Sequence, residues 1–414
     1  MKYPGLHFHL KEVRVKSKYL AVVVLAIALL LPACSRPPVR CTSPVDNPAH
    51  HYLRGMVALE QSDLQIADDT FARAAYCNKA YSPVYSGLAL LGAETVRQQG
   101  NDGPSAVAAQ RIRENLQLGK KYVNEPADEF YYYLARIRLG IMLKEAGWLK
   151  MAEEAFDGAR KLKLDGQQLL YYQGREAANY FMGLAYLEAR DLHRARERFA
   201  GVLDSRQEGK WHEKAERAWK KTDKVLRAMA GFTVGEVGTK IALQDSVSRS
   251  DLAALLMGEM KLEKLLADRS PDSSAVALMK AESAPSDVLS HPFRTEILLA
   301  MQWKIRGFEP KYDETTRAYL FHPAESVSRG EMALILDDVL IKLRRDGQSA
   351  TAGLNRSPFS DVRPASPYFN AVLNVTSSGI MEGDVSGEFR VNDVVDGAEA
   401  ILALRMLQEK VNLH

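Results

Sequence analysis

Cysteine is scarce: the 414-residue chain has three, Cys34, Cys41 and Cys77. Their spacing forms no zinc pattern. A Gly-x-Ser-x-Gly elbow, a phosphate-binding loop and a dinucleotide fingerprint are all missing, so several large enzyme classes lose their signatures. Histidine offers little more, because the adjacent His50 and His51 leave a helix on different faces and make a poor metal pair. No pair of carboxylates stands out from ordinary helix surface charge. The sequence reads as a non-enzyme with no cofactor and no metal. An excess of one charge is lacking too. The formal net charge is +3, and Lys2, Lys11, Arg14, Lys16 and Lys18 against Glu12 account for it. The remainder is near neutral and carries no global signal for nucleic acid. The apolar run from Tyr19 to Leu31 is too short for a comfortable transmembrane helix of about 20 residues.

What is present begins with that leader. A basic segment, a short apolar run and small residues before a cysteine read as a secretory signal over residues 1–33. Leu31-Pro32-Ala33-Cys34 resembles the bacterial lipobox, with Pro32 departing from the usual residue at its position. The resemblance implies cleavage before Cys34, lipidation of its thiol, and a tether over 34–48. An ordinary signal peptide and an uncleaved anchor are the alternatives. By the same resemblance, Ser35 after the cysteine favours the outer membrane, facing the periplasm. In an oxidising compartment Cys41 and Cys77 are candidates for a disulfide. Cys41 precedes one expected helix and Cys77 ends the next, so a helical hairpin would bring them to one end. Two free thiols are the other possibility.

With 46% hydrophobic and 26% charged residues, the chain can form two or three domains with real cores. Residues 49–230 carry a spaced motif three times: Gly55, Ala67, Phe71; Gly140, Ala152, Phe156; and Gly183, Ala195, Phe199. Glycine permits close approach of a first helix, the small residue sits at the contact, and phenylalanine fills the gap to the next pair. Turn signals separate glycine from alanine each time, and weaker helices are expected at 82–98 and 104–122. The pattern resembles tetratricopeptide repeats, although the step from Gly140 to Gly183 exceeds the family's period and its closing proline is missing. The resemblance implies a curved stack of helical hairpins that binds a protein or peptide on its concave face. Phe130, Tyr131, Tyr132, Tyr133, Tyr171 and Tyr172 belong either to that face or to the core. The basic stretch 206–229, with Trp211 and Trp219 eight apart, reads as a capping helix with tryptophans inward; an acidic partner or lipid headgroups are the other reading.

Beyond Gly231 short loop and β-like segments separate apolar helices expected at 248–265, 328–344 and 396–408. Ser248 and Ser328, each followed three residues later by an acid, form capping boxes. Ser286-Asp287-Val288 and Ser360-Asp361-Val362 open a second recurring half, each leading through a proline into a helix. Together with Phe359, Gly379-Ile380, Gly383, Gly387-x-Phe389 and Ala398-Glu399, this resembles the S-layer homology (SLH) domain family. The resemblance places modules at 359–408 and 286–344 and a partial one at 232–266, and implies a pseudo-threefold bundle holding wall glycan in its grooves. Arg249, Arg329, Glu331, Asp287 and Asp361 become candidate glycan contacts, since the planar arginine fork suits an acidic sugar. The motif arginine is absent at Gly397, and Pro292 and Pro367 stand where the family has tryptophan.

The fold expected is therefore mainly α: a tetratricopeptide-like solenoid followed by a small helical bundle of SLH-like modules with short β and loop segments. The function expected is a lipid-anchored envelope protein that tethers or scaffolds. Its partners would be the membrane, an envelope protein, and peptidoglycan or wall polysaccharide, with no nucleic acid. A periplasmic assembly scaffold for secretion or polysaccharide export, its modules structural only, is the alternative.

Overall fold

A computed structural model describes residues 41–412 apart from 101–102, 166–167, 206–208, 232–233, 268–283, 345–355 and 385. The leader, Cys34 and the tether up to residue 40 lie outside the described residues.

Helices α1 (Pro48–Glu60) to α8 (Leu192–Leu203) form antiparallel pairs, with α2 (Leu64–Cys77), α3 (Ser82–Gln98), α4 (Ala106–Lys121), α5 (Pro126–Leu143), α6 (Trp148–Lys161) and α7 (Ala177–Glu188) between them. Two of the turns share one solution. Ser62 and Arg190 adopt φ of 64° and 60°, and Asp63 and Asp191 then cap α2 and α8 by accepting from the third amide along. Glycine notches explain the close pairing. A Cβ on Gly55 or Gly87 would fall 2.4 or 2.7 Å from the Phe71 ring, and one on Gly183 would fall 2.6 Å from the Phe199 ring. Phe71 thus wedges between its own pair and the next, as the spacing suggests. The α5–α6 pair differs: Gly140 faces Trp148 and Ala152, and Phe156 lies under the guanidinium groups of Arg160 and Arg198. Its turn contains two left-handed residues, Lys144 and Gly147, and these bring Trp148 over the notch.

The long step between Gly140 and Gly183 holds a connection that dives inward. Leu169, Tyr171 and Tyr172 are buried, and Tyr172 meets Tyr131, Phe181 and Trp211 edge-on or tilted at 5.3–6.1 Å between ring centroids. Phe130, Tyr131, Tyr171 and Tyr172 are therefore core rather than concave lining. At the solenoid's open end Cys41 and Cys77 form a disulfide, with Cα atoms 5.4 Å apart. Asp46 beside it takes both Arg73 and His51.

Helix α9 (His212–Met229) begins as the cap read from the sequence. Trp211 at its start is buried and donates to the Tyr172 carbonyl (2.6 Å), while Lys210 and Lys214 reach back to Glu60 at the end of α1. Its second half does something else. Trp211 and Ala215 belong to the solenoid core, but Val225 and Ala228 belong to the C-terminal core. The expected break at 230–232 thus follows a helix that both cores share. Arg405 donates to the carbonyls of Arg227 and Ala230, and Lys224 pairs with Asp396.

The C-terminal bundle comprises α10 (Glu236–Ala242), α11 (Arg249–Ala254), α12 (Leu262–Ala267), α13 (Arg294–Gln302), α14 (Arg329–Leu343), α15 (Phe369–Ser377) and α16 (Gly397–Asn412). The helix expected over 248–265 is interrupted by a π-helical turn at Leu255–Glu259. A two-stranded hairpin, β1 (Lys311–Asp313) and β2 (Ala318–Leu320), lies between α13 and α14.

Candidate functional site: the joints between C-terminal modules

Helices α11, α14 and α16 start from one ring of backbone bonds. Val247 N–H donates to Val395 O (2.8 Å), Val327 to Val247 (2.9 Å) and Val395 to Val327 (3.0 Å). Each valine precedes an N-cap by one residue, and all three are buried. Both capping boxes form: Ser248 with Asp251, and Ser328 with Glu331. At the third start Asp396 accepts from Glu399 N–H (2.9 Å). The result is a pseudo-threefold arrangement with a joint at each helix start.

Arg249 and Arg329 occupy two of those joints in the same way. Arg249 donates to the carbonyls of Phe321 (2.9 Å), Gly307 (2.6 Å) and Glu309 (3.0 Å), its guanidinium 4.7 Å from the Phe321 ring centroid. Arg329 donates to Phe389 O (2.7 Å) and Glu382 O (2.6 Å), pairs with Glu399, and lies 4.6 Å from the Phe389 ring centroid. Each side chain is only 4% exposed, and burial lowers the pKa of both. The arginines stitch each module to the next and are not presented to solvent. As packed, neither candidate presents to solvent the planar fork that an acidic sugar would meet.

The third joint accounts for the missing arginine. A Cβ on Gly397 would fall 1.8 Å from the Ile241 carbonyl oxygen and 2.7 Å from its carbon. The Gly397 amide donates to Gln244 O (3.0 Å). Here α10 and the chain after it are packed where the other joints accept an arginine. The end of α9 lies beside this joint, where Arg405 donates to the Arg227 and Ala230 carbonyls.

The acids have related jobs. Asp361 accepts from the amides of Phe389 (2.8 Å) and Val391 (2.9 Å), and Asp287 from those of Phe321 (3.1 Å) and His322 (2.7 Å). Each holds the loop that supplies the arginine's carbonyl acceptors. Burial pushes the Asp361 carboxyl up, but the amides of Val391 and Phe389 outweigh it and the pKa is lowered. Glu331 likewise is lowered, since the Ser328 amide and Lys311 overcome its burial. The glycines read in the motif serve the same loop: Gly379 and Gly387 have φ of 69° and 82°, and Gly383 leaves room for the Phe359 ring.

One surface was not singled out from the sequence. Tyr312 and Tyr319 pair across the hairpin, 52% and 67% exposed, with centroids 5.4 Å apart. Lys311 beside them bridges Glu325 and Glu331. Alternation of Lys-Tyr-Asp and Ala-Tyr-Leu about a short polar turn was the available signal.

The S-layer homology domain family matches residues 358–401. The match is to this segment alone, and it points to association with the cell envelope and to a structural role. No curated protein and no solved structure matches the chain. Among the described residues no helix is long and apolar enough to cross a membrane.

Proposed function

We propose that the protein is a lipid-held tether of the cell envelope, joining a protein partner to wall polysaccharide. The observation that carries this reading is the SLH segment at 358–401, built into a bundle that shares α9 with the solenoid. A load applied to one part is transmitted through a common core rather than across a linker. Acylation at Cys34 would hold the chain at the outer membrane, facing the periplasm, and three acyl chains would anchor stably where one would not. Tetratricopeptide-like pairs supply the protein-binding part. With Arg249 and Arg329 committed internally, glycan contact falls to exposed groups at the joints. The Tyr312–Tyr319 pair offers faces for sugar stacking, and Lys311, Glu325 and Glu331 offer polar contacts beside it.

The test is sedimentation of the detergent-solubilised full chain with purified sacculi. Pelleting above an albumin control, reduced when Tyr312 and Tyr319 are both replaced by alanine, is expected. Absence of pelleting overturns wall contact. Replacement of Cys34 by serine is expected to release the protein from membranes, and unchanged partitioning counts against lipidation.

The burial of both arginines favours a second reading, an assembly scaffold for secretion or polysaccharide export whose modules serve only as structure. That reading expects stable co-purification with another envelope protein after detergent extraction, and no binding to sacculi.

A further inference from the structure

The inner side of the solenoid contains a cleft of about 790 Å³, between the ends of α1, α3, α5 and α7. Leu59, Leu90, Val96, Ile141, Phe181 and Leu184 supply apolar walls, and Arg138 of α5 is among the lining residues. Its volume lies within the roughly 300–1,000 Å³ of small-molecule sites. The charges at its rim are matched: Arg97 with Glu94 and Lys144 with Glu188, each at 2.6 Å. Arg138 is different. Its guanidinium lies 4.9 Å from the Phe181 ring centroid and near the hydroxyls of Tyr172 and Tyr171. Its Nη1 is closed off from solvent and has no hydrogen-bond partner among the described residues. No carboxylate among them forms an ion pair with it. Arg138 keeps part of its surface open where it lines the cleft; a half-buried cation with no carboxylate partner is costly to the fold, and an anion arriving at that open side removes the cost.

We propose that this cleft binds a long-chain fatty carboxylate, with the acyl chain along the apolar walls and the carboxylate on Arg138. Charge complementarity argues for one anionic group, because the other two cations at the cleft already have partners. The apolar walls argue for an alkyl chain over a peptide. A bound peptide would bring backbone amides that need partners, and the polar side chains at the rim are engaged with one another. The site is separate from the module joints, and its occupancy does not depend on wall contact.

The experiment uses the full chain in non-ionic detergent with palmitate labelled with ¹³C at its carboxyl. A protein-dependent carboxyl resonance, distinct from the micellar one, is expected. It should remain that of the ionised form at pH values where micellar palmitate has become protonated, because a guanidinium partner favours the charged form. Arg138→Gln should weaken binding at least about tenfold, Arg138→Lys should recover part of it, and Leu184→Trp should block the cleft from its wall. Circular dichroism of each variant confirms that it is folded. Hexadecanol in tenfold excess should fail to displace the acid. Three results would overturn the proposal: no protein-dependent resonance, an unchanged resonance in both folded Arg138→Gln and Leu184→Trp, or displacement of palmitate by hexadecanol as effective as by the acid. Binding of an apolar peptide with a free C-terminus, in the absence of palmitate binding, would assign the cleft to a peptide and overturn it equally.

Discussion

Replacing Gly397 with alanine separates the packing of the third joint from the habits of helices. At the first residue of α16, alanine is the better helix former, and the substitution taken alone would stabilise by up to about 1 kcal/mol. The structure says otherwise. The new Cβ would stand 1.8 Å from the Ile241 carbonyl oxygen and 2.7 and 2.8 Å from the carbonyl carbons of Ile241 and Ala242. These are backbone atoms, fixed by α10 and by the Gly397–Gln244 hydrogen bond, so no rotamer change relieves the contact. Overpacking typically costs about 1–3 kcal/mol, and a backbone obstacle belongs at the upper end. The expected net loss is about 2 kcal/mol, a fall of roughly 4–8 °C in melting temperature if the bundle melts like a domain of 150–250 residues. Gly330→Ala is the matched control. There the Cβ would meet Val391 Cγ2 at 2.7 Å and the Tyr368 ring at 2.8 Å, side-chain atoms that can yield, so a smaller loss is expected. Urea unfolding followed by circular dichroism measures both. If Gly397→Ala is neutral or stabilising, the packing of α10 into the third joint is wrong.

Arg329→Gln should destabilise by about 2–3 kcal/mol in the same assay, because bonds to a charged donor each contribute roughly 1.5–3 kcal/mol and their carbonyls are left buried; loss below 0.5 kcal/mol would place the guanidinium in solvent. Reducing the Cys41–Cys77 bridge, which spans 36 residues, should cost about 3–4 kcal/mol on the chain-entropy model, read as a lowered denaturant midpoint with dithiothreitol that Cys41→Ser reproduces and reductant no longer changes. For Asp361 the folded pKa lies below the unfolded value of about 3.9, so its contribution is full above that value and disappears as pH falls through the folded pKa. Asp361→Asn should therefore lower the midpoint at pH 6, with the difference from the native protein shrinking below about pH 4; a difference independent of pH would reject the ionic role.

The division between what was legible in the chain and what was not follows the range of the forces. The capping boxes at Ser248 and Ser328, the aspartate caps of α2 and α8, and the left-handed glycines at 379 and 387 are local events. They rest on φ and ψ and on neighbours three or four residues away, so residue types at fixed spacing carry them. The glycine–phenylalanine notch of Phe71 was legible for the same reason, since one helix pair contains both partners. The notch at Gly140 was not, because the shape of its turn decides whether Trp148 or Phe156 fills it.

By itself the sequence determined a mainly α chain, its hairpin pairs, the position of the SLH segment and the caps that begin its helices. Tertiary structure alone decided the fate of the motif residues. Whether Arg249 faces a sugar or three carbonyls depends on a loop some 58–72 residues away, and whether position 397 can hold a side chain depends on Ile241. The sharing of α9 between two cores has the same origin: both halves of the helix present an apolar face, and only the packed partners reveal that the faces belong to different cores. An arginine's identity specifies its donors, and its surroundings choose the acceptors.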